Sequence, residues 1–145
     1  MNKGLNAYHQ VGVKDQVASA EPHKIIQMLM QGAIDRLAQA RGCIERKEYQ
    51  AKGAHLARAV GIVNALRDSL KPVPGAEELT TNLNDLYVFI LEQINKASVT
   101  NEAQPLIDSA DIMQTIKEGW DAIPQAARDE AYQQQAQMQQ SVSGY

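Results

Sequence analysis

Cysteine is almost absent from this chain of 145 residues, since Cys43 is the only one. A single cysteine excludes an internal disulfide and the zinc motifs that need several cysteines, and it favours a reducing compartment. Cys43 lies in ARGCIERKE, near the expected end of a helix. Two interpretations stay open: a small half-buried side chain, or a nucleophile that requires a histidine nearby in space.

Long apolar runs and clustered positive charge are also missing. No run of about 18 apolar residues occurs, so we expect no membrane insertion, and MNKGLNAYHQVGVKDQV lacks the apolar core of a secretion signal. The formal net charge is −3. This charge argues against nucleic acid as a partner, because phosphates require clustered Lys and Arg. The sequence therefore predicts a cytoplasmic protein.

Motifs for phosphate binding and metal binding do not occur. G-x-G-x-x-G and G-x-x-x-x-G-K are absent, and no histidine has a glutamate three residues before it, as di-iron bundles require. We expect no cofactor and no metal. His23 follows Pro22 at a helix start, where a partly exposed structural residue is favoured over a catalytic one. The chain is predicted not to be an enzyme, unless a cleft gathers His23 or His55 with Cys43.

Aromatic residues make up only 5% of the chain. Ala, Gln, Leu and Ile are plentiful, which is typical of helices and not of sheets. Pro22 suits a first helical position, KPVPG stops a helix after Leu70, and Asn101 is a plausible cap. The sequence predicts helices over residues 22–44, 47–70, 77–97 and 101–123.

Four amphipathic helices with short connections predict an antiparallel up-down-up-down four-helix bundle. We expect one domain over residues 1–124, in which residues 1–20 form a short N-terminal helix or arm. Residues 125–145 are rich in Gln and poor in apolar side chains. They are expected to form a flexible tail, although AARDEAYQQQAQ is able to sustain a frayed helix.

The first and third helices carry more apolar residues than one core-facing stripe needs. On a helical wheel the apolar arc of the first helix covers about half of the circumference, against about 100° for a core stripe. Met28 lies outside this arc, and Ile25 and Met30 lie toward its edges. On the third helix Val88 and Phe89 are left outside an arc formed by Leu79, Leu83, Leu86, Tyr87, Ile90, Leu91 and Ile94. The surplus is either ordinary packing or a groove for an amphipathic partner helix.

Several ordered motifs resemble the FliS family of bacterial flagellin-specific export chaperones. NAYHQ followed by VASAEPHKIIQMLMQGAIDRL resembles the opening of the family, and ALRDSLKP, LNDLYVFILEQINKA and GWDAI resemble later segments with the terminal Trp. The resemblance covers roughly residues 5–123. Glu21, Met30 and Gln31 depart from the residues that are common in the family. The matching positions are Ala7, Tyr8, Val17, Pro22, His23, Lys24, Ile26, Leu29, Gly32 and Ala33.

The resemblance implies a cytoplasmic chaperone that binds the C-terminal helical segment of flagellin, prevents premature polymerisation and delivers flagellin to the export apparatus, including export-gate components. It also implies apolar grooves on a bundle, with the N-terminal arm lying over part of them. We expect Leu5 and Tyr8 to form the movable arm. The candidate groove residues are Ile25, Met28, Met30, Tyr87, Val88 and Phe89.

An alternative of a different class is a structural homodimeric bundle that buries the same residues and has no flagellin client. Symmetric homodimers are the commonest oligomers, so the surplus apolar surface fits this alternative too. The sequence leaves open a monomer or a weak homodimer.

Overall fold

A computed structural model describes residues 22–72, 74–130 and 133 of the chain. The described residues contain no strand, and the predicted all-α class is confirmed. The predicted arm, residues 1–20, lies outside the described residues. The four long helices are α1 (Pro22–Glu45), α2 (Tyr49–Asp68), α3 (Glu77–Thr100) and α4 (Gln104–Asp121).

The end of α1 is set by left-handed backbone at Lys47, whose φ is 59°. The N–H of Lys47 donates to the carbonyl of Ile44 at 3.0 Å, and the N–H of Glu48 donates to that of Cys43 at 2.7 Å. This pair of bonds is the Schellman motif that closes a helix C-terminus. Because Lys47 belongs to that motif, α2 begins at Tyr49 and not at residue 47 as predicted.

Asn101 ends α3 and does not begin α4, so the prediction that it caps the fourth helix is wrong. Its backbone is left-handed, with a φ of 56°, and its N–H donates to the carbonyl of Ala97 at 2.9 Å. Asparagine tolerates this conformation better than most residues, which makes it suited to a helix end. As a result α3 continues to Thr100, and α4 begins at Gln104.

Polar contacts show that successive helices run antiparallel. Arg36, in the second half of α1, donates to His55 Nδ1 in the first half of α2 at 3.1 Å. Lys52, near the start of α2, donates to the carbonyl of Ser98, near the end of α3, at 2.9 Å. These contacts show that α2 runs antiparallel to both α1 and α3, as the predicted up-down-up-down order requires.

The chain divides into two compact units, residues 28–119 and residues 1–27 with 120–145. The described part of the second unit holds the first residues of α1, the end of α4 and a helical stretch at 125–130. This stretch falls where the sequence allowed a frayed helix within the predicted tail. The prediction of one domain over residues 1–124 stays a prediction.

The core of residues 28–119 is a seam whose buried residues are spaced alternately by three and four. A repeat of 3.5 residues is the pattern with which helices interdigitate at a shallow crossing angle. The wide apolar arc of α1 therefore consists of two parts. A narrow seam is buried, and residues on either side of it, such as Leu29 and Ile34, are half-buried. Along the seam lie Met30, Ala33, Leu37, Ala40 and Ile44 of α1, Lys52, Leu56, Ala59, Val63 and Leu66 of α2, Tyr87, Ile90, Ile94 and Ala97 of α3, and Leu106, Ser109 and Met113 of α4.

Two leucines that the wheel placed in the core arc of α3 are exposed. Leu79 lies in the first turn of the helix, before the first buried seam residue, Tyr87. Leu86 precedes Tyr87 directly and lies on the flank of the seam. The prediction was wrong here because a wheel treats every turn of a helix as equally covered by its neighbours.

Candidate partner-binding surface

The start of α1 presents two of the predicted groove residues at the surface. Ile25 is 39% exposed and Met28 is 38% exposed. Because they are three residues apart on one continuous helix, their side chains lie on the same face. We call Ile25 and Met28 the α1 strip. The α1 strip is exposed apolar surface, whereas the seam residues of the same helix are buried.

Two other predicted groove residues lie in the core instead. Met30 is a seam residue of α1, and Tyr87 is a seam residue of α3. Burial raises the pKa of Tyr87 to about 12, as expected for a phenol removed from water. Neither side chain is at the surface of this structure. Leu5 and Tyr8, the predicted arm residues, lie outside the described residues.

A second apolar strip lies on the flank of α3. Phe89 is 42% exposed and Val88 is half-buried. The sequence analysis missed Leu86, which is exposed three residues before Phe89 and therefore shares its face. A spacing of three from the only phenylalanine was the available signal. We call Leu86 and Phe89 the α3 strip.

His23 is buried, so the expectation of a partly exposed helix-start residue was wrong. Its ring stacks on Trp120, with ring centroids 4.9 Å apart and planes inclined by 10°. Its Nε2 lies 2.7 Å from the carbonyl oxygen of Trp120, and Trp120 Nε1 donates to the His23 carbonyl at 2.9 Å. The GWDAI motif, noted only as part of a resemblance, therefore holds the partner of His23.

Cys43 and His55, which the sequence analysis considered for a catalytic role, make packing and hydrogen-bond contacts. Cys43 is buried, not half-buried, and Arg46 Nη2 approaches its sulfur at 3.9 Å. His55 accepts a hydrogen bond from Arg36. Burial, followed by the charges of Arg36 and Arg58, lowers the pKa of His55. These contacts pack and orient the two side chains and supply no nucleophile–base pair between them.

Lys52 is a buried polar residue that sequence reasoning did not single out. Its ammonium donates to the carbonyl of Ser98 and to the side-chain oxygen of Asn101, and it lies 5.7 Å from the centroid of the Tyr49 ring. A lysine four residues before Leu56, at a seam position, was the signal that could have identified it. It fixes the end of α3 and takes no part in the apolar strips.

Within the described residues, no group of three or more His, Cys, Asp or Glu side chains is arranged to hold a metal ion. The described helices also include none with the length and apolarity of a membrane span. Salt bridges near the α1–α2 turn join Arg41 to Glu45 and Arg46 to Glu48. The two apolar strips contain four of the large apolar side chains that are exposed on the described helices.

The sequence is similar to those of known flagellar proteins. The sequence profile of the family described as "Flagellar protein FliS" matches residues 4–127. The chain is 40% identical over 124 residues to the flagellar secretion chaperone FliS of Vibrio cholerae, covering 86% of this chain and 90% of that protein. It is 39% identical over 121 residues to the flagellar secretion chaperone FliSB of Pseudomonas aeruginosa, covering 83% and 95%. For the FliS of Salmonella typhimurium the identity is 36% over 130 residues, covering 88% and 96%.

Proposed function

The chain belongs to the FliS family of flagellar proteins, and from this premise we propose that it is a secretion chaperone that binds the C-terminal helical segment of flagellin. Its relatives are named flagellar secretion chaperones, which are binding proteins and not enzymes. Binding would keep flagellin from polymerising before export and deliver it to the export apparatus, with export-gate components as further partners. All of this takes place in the cytoplasm.

The α1 strip is the observation that carries the proposal. A helix of a bundle normally turns its large apolar side chains toward the seam, yet Ile25 and Met28 stay more than one-third exposed. An amphipathic client helix that lies against this face would bury both side chains and its own apolar stripe together. Methionine suits this role because its unbranched thioether repacks against different side chains.

The α3 strip is a second candidate for client contact, within the unit of residues 28–119. Phe89 offers an exposed aromatic ring with Leu86 on the same face, and Val88 lies beside it, half-buried. Because Met30 and Tyr87 are buried, we assign them to the support of these strips and not to direct contact. Leu5 and Tyr8 are proposed to cover part of the client surface until flagellin displaces them.

The mechanism follows from the hydrophobic effect. The terminal segment of flagellin assembles through its apolar face, and covering that face removes the driving force for premature assembly. The chaperone needs no chemical step and no cofactor for this. Ordering of the client costs conformational entropy, so we expect moderate affinity that allows release at export.

Titration calorimetry with a flagellin C-terminal peptide tests the proposal. We expect saturable binding with a negative heat-capacity change, because apolar surface is buried. The double variant Ile25→Ser, Met28→Ser should weaken binding, by about fivefold for each ~1 kcal/mol of apolar contact that is lost. Val99→Ser is the matched control, since Val99 is 75% exposed near the end of α3 and outside both strips.

Two results would contradict the proposal. One is the absence of saturable binding to the wild-type chain. The other is a loss of affinity in the Val99→Ser control as large as in the double variant. Sedimentation at low and high protein concentration addresses the homodimeric alternative, which predicts a dimer whose interface covers the strips and leaves the peptide unbound.

A further inference from the structure

His23 makes more specific contacts than a helix-start residue needs. Its side chain is 6% exposed, and its ring stacks on Trp120. The two residues also exchange hydrogen bonds, from the His23 ring to the Trp120 carbonyl and from the Trp120 indole to the His23 carbonyl. The start of α1 is thereby fixed to the end of α4 within their unit.

A third residue completes this cluster. Arg128, in the helical stretch at 125–130, has its Nη1 3.0 Å from His23 Nδ1. Its other amino group donates to the side-chain oxygen of Gln125. Arg128 therefore connects the stretch after Pro124 to the imidazole of a residue that is 105 positions earlier in the chain.

The hydrogen-bond network determines the form of the imidazole. A carbonyl oxygen only accepts, so Nε2 must carry the hydrogen that it donates to Trp120. A guanidinium only donates, so Nδ1 must offer its lone pair to Arg128. Both bonds are satisfied only by the neutral imidazole with its hydrogen on Nε2, an assignment made from the network.

Protonation of His23 would break this arrangement at one atom. A hydrogen on Nδ1 would point at the N–H groups of Arg128, placing donor against donor and cation against cation. Among the neighbouring charged residues, Asp121 accepts from Gln27 at 2.7 Å, Asp129 accepts from Gln125 at 2.8 Å, and Lys24 is exposed on α1.

We propose that His23, Trp120 and Arg128 form an acid-released latch that holds the helical stretch at 125–130 against the start of α1. The neutral imidazole closes the latch, and its protonation opens it. The stack on Trp120 and the bond to the Trp120 carbonyl remain available to the charged ring, so opening is confined to the Arg128 side. This inference goes beyond the proposed function and does not depend on which client the protein binds.

The chain provides its own reporter for a test, because Trp120 is its only tryptophan. In a proton–nitrogen NMR spectrum of the full-length protein, the single indole resonance reports on the Trp120 Nε1 bond to His23. Hydrogen exchange, corrected for intrinsic rates, reports on residues 125–130. Histidine side chains change charge between about pH 8 and pH 5. Over this range we expect the hydrogen-exchange protection of residues 125–130 to fall about tenfold, while the indole bond persists.

Two variants, one on each side of the contact, should each abolish the acid-dependent release. His23→Gln keeps an N–H donor for the Trp120 carbonyl but does not titrate, so protection at 125–130 should no longer depend on pH. Arg128→Gln places an amide opposite Nδ1, and this amide can turn its oxygen to accept from the charged ring, so acid should no longer release the stretch. Arg67→Gln is the matched control, since Arg67 donates to Asn84 in the other unit and should leave the release unchanged.

Three results would overturn the latch: protection of residues 125–130 that is the same at pH 8 and pH 5 in the wild type, a His23→Gln variant that still loses protection in acid, or an Arg67→Gln variant that abolishes the release. The second would place the titrating group elsewhere. The third would show a general effect of positive charge and not a contact of Arg128.

Discussion

Lys52 and His23 perform the same structural task in the two units of the chain, with different chemistry. Each is 6% exposed and lies near the start of a helix. Each reaches a carbonyl in the last turn of another helix, Lys52 that of Ser98 at 2.9 Å and His23 that of Trp120 at 2.7 Å. The last carbonyls of a helix lack partners within the helix. Lys52 donates to such an acceptor at Ser98, and His23 adds a second donor to the Trp120 carbonyl, which also accepts from the N–H of Ile123.

The difference is charge. The ammonium of Lys52 complements the partial negative charge at the end of α3 and also binds the Asn101 side chain. In the proposed latch the imidazole of His23 is neutral, and its second nitrogen accepts from Arg128. We call these two contacts the Lys52 joint and the His23 joint. The Lys52 joint uses a charged donor, whereas the His23 joint uses an imidazole whose contact with Arg128 opens in acid in the proposed latch. The four predictions below test that contrast, from the largest expected effect to the smallest.

Lys52→Met should be the most damaging of these changes. Methionine keeps the apolar stem in the seam but removes the charged donor, leaving the Ser98 carbonyl and the Asn101 side chain without it. We expect the free energy of unfolding to fall by about 2–3 kcal/mol, the range for a hydrogen bond to a charged group together with a helix-end charge effect. Urea unfolding at pH 7 measures this loss.

Lys96→Met provides the control for that measurement. Lys96 belongs to the same helix end but is exposed, and surface substitutions of this kind change stability by less than about 0.5 kcal/mol. Equal losses in the two variants would show that the buried ammonium contributes no more than any other lysine, and the comparison between the two joints would fail.

His23→Phe should have the next largest effect. Phenylalanine retains an aromatic ring for the stack on Trp120 but removes the donor to the carbonyl and the acceptor for Arg128. The Trp120 carbonyl keeps the N–H of Ile123 at 3.2 Å, so we expect a loss of about 1–2 kcal/mol, less than for Lys52→Met. Urea unfolding at pH 8 measures it, with the half-buried His55 changed to Phe as the control. A loss at His23 no larger than at His55 would contradict the account.

The sequence predicted the four helices because their apolar periodicity and their proline and asparagine boundaries are local properties. It could not divide the apolar residues of α1 between seam and surface, because Met28 and Met30 differ only in which side faces a neighbouring helix. The structure buries Met30 and leaves Met28 exposed. Neighbours of a helix are set by the packing of distant segments, and a wheel of one helix contains no information about them.

The partners in the two polar joints could not be predicted from the sequence for the same reason. Trp120 is 97 positions from His23, and Ser98 is 46 positions from Lys52. A histidine after a proline is usually a solvated helix start, and nothing in PHK indicates a stacking partner near the other end of the chain. By contrast, Lys52 occupies the seam position four residues before the buried Leu56, so its burial was open to prediction once the period of 3.5 was recognised.

Lys47→Gly should increase stability. This variant tests a third type of helix end, which is closed by backbone bonds and not by a buried side chain. α1 ends through backbone bonds alone, and the left-handed conformation strains a lysine at position 47, whereas glycine adopts it without strain. Relief of this strain, partly offset by the greater freedom of glycine in the unfolded chain, should raise the free energy of unfolding by about 0.5–1 kcal/mol. Thermal unfolding measures the gain. Lys47→Ala keeps the strain and removes only the charge, and a similar gain in that variant would contradict the explanation.

His55 gives the smallest expected effect. Its imidazole also lies beside arginine, but it does not bond the end of a helix. Burial, Arg36 and Arg58 lower its pKa, so the unfolded chain binds a proton on His55 more readily than the folded one. The stability linked to His55 is therefore present above its ordinary pKa of about 6.5 and is lost as the pH falls through its lower folded value. Since His55 is only half-buried, solvent screening should keep this loss below about 0.5 kcal/mol.

In urea unfolding from pH 8 to pH 5, His55→Gln should lose less stability than the wild type. The loss in Arg58→Gln should lie between the two, because one cationic neighbour remains. If His55→Gln loses as much as the wild type, the acid sensitivity of the protein does not arise at His55.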